Sequence, residues 1–279
     1  EAWVRTSDKC HTGAIVSYAE KTDSSDTNER VAAANSFVVW DIKDLIACRG
    51  YAMLDRIPDP ENKSCRSAYK KSKEKADQKI DISDGQWHHL AVTWSASKKG
   101  RTVVYIDGMK RAESETGITR PIKPGGALVL GADQDCYNGC FEKEQAYYGM
   151  MDEVRIWSKE LTQTEILKNF RYSGDRLEDR DLVAYWKFDD LMGDRGIMTT
   201  HYQAKDSSGR NNNLNVMTMP KQAEDNVLQS GRDLGFPALD FQNNYAMNAY
   251  FQGMPNEDIT VEFWSKTPKV SDATEDRNM

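Results

Sequence analysis

The run from Leu130 to Ile166, LGADQDCYNGCFEKEQAYYGMMDEVRIWSKELTQTEI, narrows the folds open to this chain more than any other segment. A short apolar strand, Ala127 to Leu130, leads into it, and a second strand, Glu153 to Trp157, leads out. Between them lies a loop dense in oxygen donors: Asp133, Gln134, Asp135, Glu142, Glu144 and Gln145, with Gly131 and Gly139 available for tight bends. Hard divalent cations such as calcium take six to eight oxygens from carboxylates, amides and carbonyls, which is the chemistry this loop offers. Acidic surface loops are also common, so composition alone leaves a solvated loop and a calcium site both open.

Alternation governs the rest of the first half. Leu90, Val92 and Trp94 fall on one face of a strand, and Ala91, Thr93 and Ser95 on the other. Thr102 to Ile106 reads as the returning strand, and Asp107-Gly108 gives a tight hairpin turn toward the next one. Glu1 to Arg5, Ala14 to Tyr18 and Phe37 to Trp40 are further strands. One helix is predicted after Thr162, where Glu165 completes a capping box ahead of Ile166, Leu167 and Phe170. Many short strands with one short helix predict an all-β, antiparallel jelly-roll sandwich.

PIKPGGALVLGADQD, then FEKEQA, then MMDEVRIW, together with the upstream DGQWHHLAVTWSASKKGRTVVYIDGMKR, resemble the pentraxin domain of the wider laminin-G and concanavalin-like group. The match is densest from Asp84 to about Asn169 and weakens toward Glu1. The resemblance implies calcium bridged between this loop and the tip of an earlier strand, with ligand bound to the metal. Carried over by position, the metal ligands would be Asp133, the main-chain oxygen of Gln134, Asp135, Glu142 and Gln145. Ser17-Tyr18-Ala19 matches the earlier strand, and Asn35 fills the Asn position at its partner, but Ala34 replaces the acidic neighbour. Fewer or weaker ions are therefore expected, unless residues 21–31, an insertion, return a carboxylate from Asp23 or Asp26. Asp152 is a further candidate ligand, with a strand-start acid paired to Arg155 as the structural alternative.

Five cysteines stand at positions 10, 48, 65, 136 and 140, none in a CxxC spacing. Cys48 with Cys65 and Cys136 with Cys140 are read as disulfides, the second stiffening the candidate metal loop; reduced buried thiols are the alternative. The bridge that pentraxins carry would fall at Glu1 and Ala91, so both halves are absent together. Cys10 is left over, for an outside partner or as a free thiol. Asn62-Lys63-Ser64 is an N-glycosylation acceptor in the Cys48–Cys65 loop.

After Asn169 the charged run RYSGDRLEDRD marks a boundary. The expected organisation is a laminin-G-like domain over 1–175 lacking its first strands, then the opening strands of a second such domain over 181–279. Glu1-Ala2-Trp3-Val4-Arg5-Thr6 and Glu262-Phe263-Trp264-Ser265-Lys266-Thr267 hold the same place in the family order. The favoured explanation is a window from a tandem array. The alternative is one permuted domain, in which Leu182 to Phe188 and Ala238 to Phe241 would pair with strands of the first segment. Asp189, Asp190, Asp206, Asp240 and Asn243 are read as loop-placed and left unassigned.

A net charge of −7 argues against nucleic acid, whose phosphates need a basic field. No apolar run of membrane-spanning length occurs. Glu1 is not Met and no apolar leader precedes it, so a mature product or fragment of an extracellular or cell-surface protein is expected. A glycosidase would need two carboxyls flanking one bond; Glu113 and Glu115 alternate correctly but lie on a polar edge. His88 and His89 are adjacent in a strand and so face opposite ways. Trp87, Trp94, Trp157, Trp186 and Trp264 are read as core. The expected function is a non-catalytic, calcium-dependent recognition or adhesion module for a phosphate- or sugar-bearing ligand. The alternative is an architectural bead in a filament, stalk or cell-surface coat, held by neighbouring protein modules and carrying calcium only as a structural ion.

Overall fold

The structure, a computed structural model, describes residues 2–6, 13–40, 46–48, 82–115, 117–142, 145–170, 180–192, 202–218, 228–231, 236–240, 244–251, 254–255 and 257–264. The first segment carries β1 (Ala2–Arg5), β2 (Val16–Ala19), α1 (Thr27–Ala34), β3 (Phe37–Trp40), β4 (Ile46–Cys48), β5 (His88–Ser95), β6 (Arg101–Ile106), β7 (Met109–Glu115), β8 (Gly126–Leu130), β9 (Met150–Trp157) and α2 (Gln163–Phe170). The second carries β10 (Leu182–Met192), β11 (Tyr202–Asp206), β12 (Leu214–Thr218), β13 (Leu228–Gly231), β14 (Phe236–Asp240), β15 (Asn244–Phe251) and β16 (Asp258–Trp264).

Fourteen strands join in one sheet whose main path runs β1-β5-β16-β9-β10-β11-β12-β15-β8-β2-β3-β4, while β6 and β7 form a separate hairpin. Among the described pairings all but β1–β16 are antiparallel. One apolar cluster unites Val16 and Tyr18 of β2, Val92 and Trp94 of β5, Leu128 and Leu130 of β8, Ile156 of β9, Trp186 of β10 and Ala246 of β15. Strands far apart along the sheet thus share a core, so the sheet folds over on itself as a sandwich. The all-β antiparallel expectation holds.

The strands of 182–264 are laid into the ladders of the first segment. Ala184, Tyr185 and Trp186 pair with Ile156, Arg155 and Val154. Leu239 pairs with Met151, Ala246 with Leu130, and Ile259 to Phe263 with Trp94 to Leu90. These are the ladders that the permuted alternative requires.

Strand β5 is buried on both faces, beyond the half-buried alternation expected of it. Its inner residues Leu90, Val92 and Trp94 enter the main core. Ala91, on the other face, joins a second cluster with Val103, Tyr105, Trp157, Leu161, Ile166, Leu182 and Tyr185. Helix α2 helps close that cluster through Ile166. Its capping box forms as predicted: the Glu165 amide donates to Thr162 Oγ1 at 3.3 Å, and the Thr162 amide to Glu165 Oε2 at 2.7 Å. The Asp107-Gly108 turn has φ of 52° and 74°, the left-handed pair a two-residue hairpin needs.

A second helix, α1, corrects the expectation of only one. It takes in the last residues of the stretch read as an insertion, and Asp26 caps it by accepting from the Glu29 amide at 3.0 Å. The acids read as loop-placed lie in strands instead: Asp189 and Asp190 in β10, Asp206 in β11 and Asp240 in β14. Asp206 ends β11 as a buried hub, accepting from the amides of Tyr185, Ser208 and Asn212 and from the Ser208 hydroxyl. Asn243 falls outside the described residues.

Candidate functional site

The oxygen-rich loop emerges from β8 at Gly131 and re-enters the sheet at Met150. Its first turn is pinned beneath the N-terminal end of β2. The Gly131 amide donates to the Ile15 carbonyl at 3.0 Å, the Tyr147 amide to the Gly131 carbonyl at 2.9 Å, and the Ala14 amide to the Gln145 carbonyl at 2.8 Å. Gln134 anchors the next turn from inside. Its Nε2 donates to the carbonyls of Ala127 (2.8 Å) and Ser17 (3.3 Å), and its Oε1 accepts from the Asn138 amide at 3.3 Å. A side chain read as a source of main-chain oxygen thus also holds β8, β2 and the loop together.

Cys136 and Cys140 are joined as predicted, with Cα atoms 5.4 Å apart. The turn inside the bridge puts Asn138 and Cys140 at positive φ, 61° and 58°. Cys48 ends β4 opposite Val38; Cys65, Cys10 and the Asn62 acceptor fall outside the described residues.

Asp133, Asp135, Glu142 and Gln145 are drawn together around this frame. Asp133 is only 3% exposed. Burial, then the charges of Asp135 and Glu142, push its carboxyl up to about 7, against the Gln134 amide, which donates to its Oδ1 at 2.9 Å. Asp135 is also raised, by burial and by Glu142, and is partly relieved by a hydrogen bond from the Gln145 side chain. The Gln145 Oε1 is buried with no hydrogen-bond partner. A buried acceptor left unpaired costs free energy, as do crowded like charges. A hard cation would satisfy both, so the donor chemistry fits calcium. Among the described residues, however, no group of three or more His, Cys, Asp and Glu side chains is arranged to hold a metal ion. Glu144 lies outside the described residues.

Asn35 ends α1, where its Nδ2 and backbone amide both donate to the Val31 carbonyl at 3.1 Å. Asp23 is exposed, and Asp26 serves as the α1 cap. Glu20, which the sequence reading passed over, sits at the tip of β2. It is buried and accepts from Ser36 Oγ (2.5 Å), Arg120 Nη1 (2.8 Å) and the Lys123 amide (3.0 Å), so it already has three donors. An isolated acid after SYA carries no sequence signal of that role.

Asp152 and Glu153 part company in space. Glu153 has φ of 54°, and the β16–β9 register shifts there, as expected of a bulge. Asp152 is buried, accepts from the Glu153 amide at 2.8 Å, and is raised well above the ordinary carboxylate range by burial, Glu153 and Asp189. Glu153 instead accepts from Arg155, which is fully buried, and from the Tyr185 hydroxyl. The strand-start pairing with Arg155 therefore belongs to Glu153.

The histidines divide as alternation requires. His88 is at the surface between Asp107 Oδ2 (3.0 Å) and Asp84 Oδ1 (3.1 Å), whereas His89 is fully buried and packs edge-on against Phe170. Trp94, Trp157 and Trp186 are buried, as read. The side chain of Trp264 lies outside the described set.

Two comparisons with known proteins bear on this arrangement. The family model described as the concanavalin A-like lectin/glucanases superfamily matches residues 1–167. Neuronal pentraxin-2 of Mus musculus is 39% identical over 87 residues, 31% of this chain and 20% of that protein. Neuronal pentraxin-1 of Homo sapiens is 41% identical over 86 residues, 30% of this chain and 20% of that protein. A pentraxin fusion protein of Xenopus laevis is 34% identical over 86 residues. The matched stretch thus spans about a fifth of the length of these relatives. With a family model covering more than half of its residues, and a sandwich that agrees with it, the chain belongs to the concanavalin A-like lectin/glucanase superfamily.

Proposed function

We propose that this chain is a calcium-dependent recognition module of an extracellular or cell-surface protein, binding a phosphate- or sugar-bearing ligand without catalysis. The observation that carries the reading is the buried Asp133 carboxyl, crowded by Asp135 and Glu142 beside the unpartnered side-chain oxygen of Gln145, in a loop closed by a disulfide. The residues that would hold the ion are Asp133, the main-chain oxygen of Gln134, Asp135, Glu142 and Gln145. Asn35 and Asp152 are further candidates, each already engaged with backbone. A bound calcium supplies a positive centre whose coordination a phosphate or hydroxyl oxygen of the ligand completes. The chain's own part is to hold these oxygens on a rigid frame, through Gln134, the Cys136–Cys140 bridge and the ladders to β2.

The likeness to pentraxins supports recognition over catalysis, while the superfamily's description names lectins and glucanases alike. The disulfide agrees with an oxidising compartment. Among the described residues, no helix is long and apolar enough to cross a membrane. Glycosylation at Asn62 and a Cys48–Cys65 bridge belong to the same reading. The architectural alternative draws on the ladders that bind 182–264 into the first segment, since strands of that kind also suit a structural bead.

Thermal unfolding in millimolar calcium against chelator tests the site. Calcium should raise the midpoint, since a ligand bound only by the folded state stabilises it. Asp135→Ala should abolish the rise, whereas Asp107→Ala, at the hairpin turn, should keep it. A wild-type curve indifferent to calcium would refute the metal site. Calcium-dependent signal on an array of glycans and phosphocholine then separates recognition from architecture, which predicts none.

A further inference from the structure

The slot between β5 and β9 holds two segments of this chain end to end. In its upper part Thr260, Val261 and Glu262 stand between Thr93, Val92 and Ala91 on one side and Trp157, Ile156 and Arg155 on the other. In its lower part Trp3 and Val4 stand between His89 and His88 of β5 and Asp152 and Met151 of β9. The segments run in the same direction and meet where Ala2 pairs in parallel with Phe263.

At that junction their registers coincide. Ala2 and Phe263 both have Leu90 as their partner on β5. Trp3 and Trp264 both have Asp152 as their partner on β9. If β16 continued along its ladder, the next residue, Ser265, would stand where Val4 stands. The sequences align in the same way, Glu1 with Glu262, Trp3 with Trp264 and Thr6 with Thr267. Two ladders and a sequence echo, each independent of the others, give a single residue-by-residue equivalence.

We infer that β1 and β16 are two copies of one strand, and that the segment 182–264 is an exchangeable unit that completes the β1–β9 body of a second copy of this chain. Every backbone ladder between segment and body, from β10 to β9, β14 to β9, β15 to β8 and β16 to β5 and β9, is matched by the same segment of another copy. Closed and exchanged forms then differ mainly in the connection and in the entropy of association, which is the condition for domain swapping. The inference rests on strand pairing and is independent of the calcium site.

The test uses the full chain in three forms. Ala91 and Glu262 face each other across β5 and β16. The double variant A91C/E262C should form an intrachain link in dilute solution. An isotopically heavy A91C chain co-refolded with a light E262C chain should give an interchain link between positions 91 and 262, identified by peptide mapping. Its yield should rise steeply between about 10 µM and about 1 mM, since closure within one chain competes at an effective concentration of about millimolar. Unsubstituted heavy and light chains, refolded together and weighed by native mass spectrometry, should give mixed-mass dimers over the same range, which covers any folding defect of the variants. The inference is overturned if the double variant links while the mixture never does. It is also overturned if the unsubstituted chains stay monomeric throughout, or if no 91–262 link forms in either sample.

Discussion

Replacing Asp133 by Asn isolates the electrostatic cost of the loop. The carboxyl is almost wholly buried, and burial with its two acidic neighbours moves it from an ordinary 3.8 up to about 7. For an acid raised in the folded state, the fold prefers the protonated form. The penalty is therefore absent at low pH, grows as pH rises through the unfolded value of 3.8, and is complete above the folded value of about 7. At about 1.4 kcal/mol for each tenfold change, the missing stability above pH 7 is about 4 kcal/mol. Asn keeps an oxygen to accept from the Gln134 amide but carries no charge. In chelator at pH 8, Asp133→Asn should therefore be the more stable protein, with a thermal midpoint roughly 10 °C higher for a chain of this size. At pH 4 the difference should vanish. In calcium at pH 8 the wild type should recover and the variant should not respond. Denaturation of both proteins at pH 4, 6 and 8, with and without calcium, decides the matter. A variant no more stable than wild type at pH 8 in chelator, or equally stabilised at every pH, would refute the reasoning.

Two further outcomes follow from local geometry. His88 is held above its ordinary value because hydrogen bonds and charge from Asp107 and Asp84 outweigh the opposing effect of burial. Its contribution is therefore full below about 6.5 and lost as pH rises through the folded value, so His88→Gln should cost stability at pH 5.5 and nearly nothing at pH 8.5 in urea titrations. Gly126→Ala would place a methyl group 2.3 Å from the Ala19 carbonyl oxygen and 2.6 Å from the Tyr18 ring. Backbone cannot yield there, and the bond from the Gly126 amide to the Tyr18 hydroxyl would strain as well, so a loss of about 1–3 kcal/mol is expected in the same assay.

Local signals in the sequence carried much of this fold. The alternation through Leu90, Val92 and Trp94, the Asp107-Gly108 turn, the Thr162 capping box and the Cys136–Cys140 closure each depend on a few adjacent residues and could be read directly. What escaped depends on partners distant in sequence. Arg155 was legible only as the partner of a strand-start acid, whereas its full burial against Glu153 and Tyr185 comes from the strands around it. Helix α1 was hidden because its run, TNERVAAA, has a weak apolar face and followed a polar stretch. Strand partners of 182–264 were the hardest to read, because the likeness of residues 1–6 to 262–267 fits both a tandem window, the favoured explanation, and one permuted domain. In the site, residue types and order pointed to the acidic loop, whereas the anchoring of Gln134 and the burial of Asp133 arise only from β2 and β8 closing over them.

The bulge at Glu153 acts as a key cut into the strand slot. Beyond it, from Arg155 to Trp157, β9 presents one phase of its pleat; before it, from Met150 to Asp152, it presents the other. The extra residue at Glu153 absorbs that change within β9, so β16 follows it on both sides while keeping an unbroken register with β5 from Asp258 to Phe263. The one inserted residue thus gives a fully buried guanidinium its counter-charge, because Glu153 leaves the ladder's alternation to meet Arg155 and the Tyr185 hydroxyl.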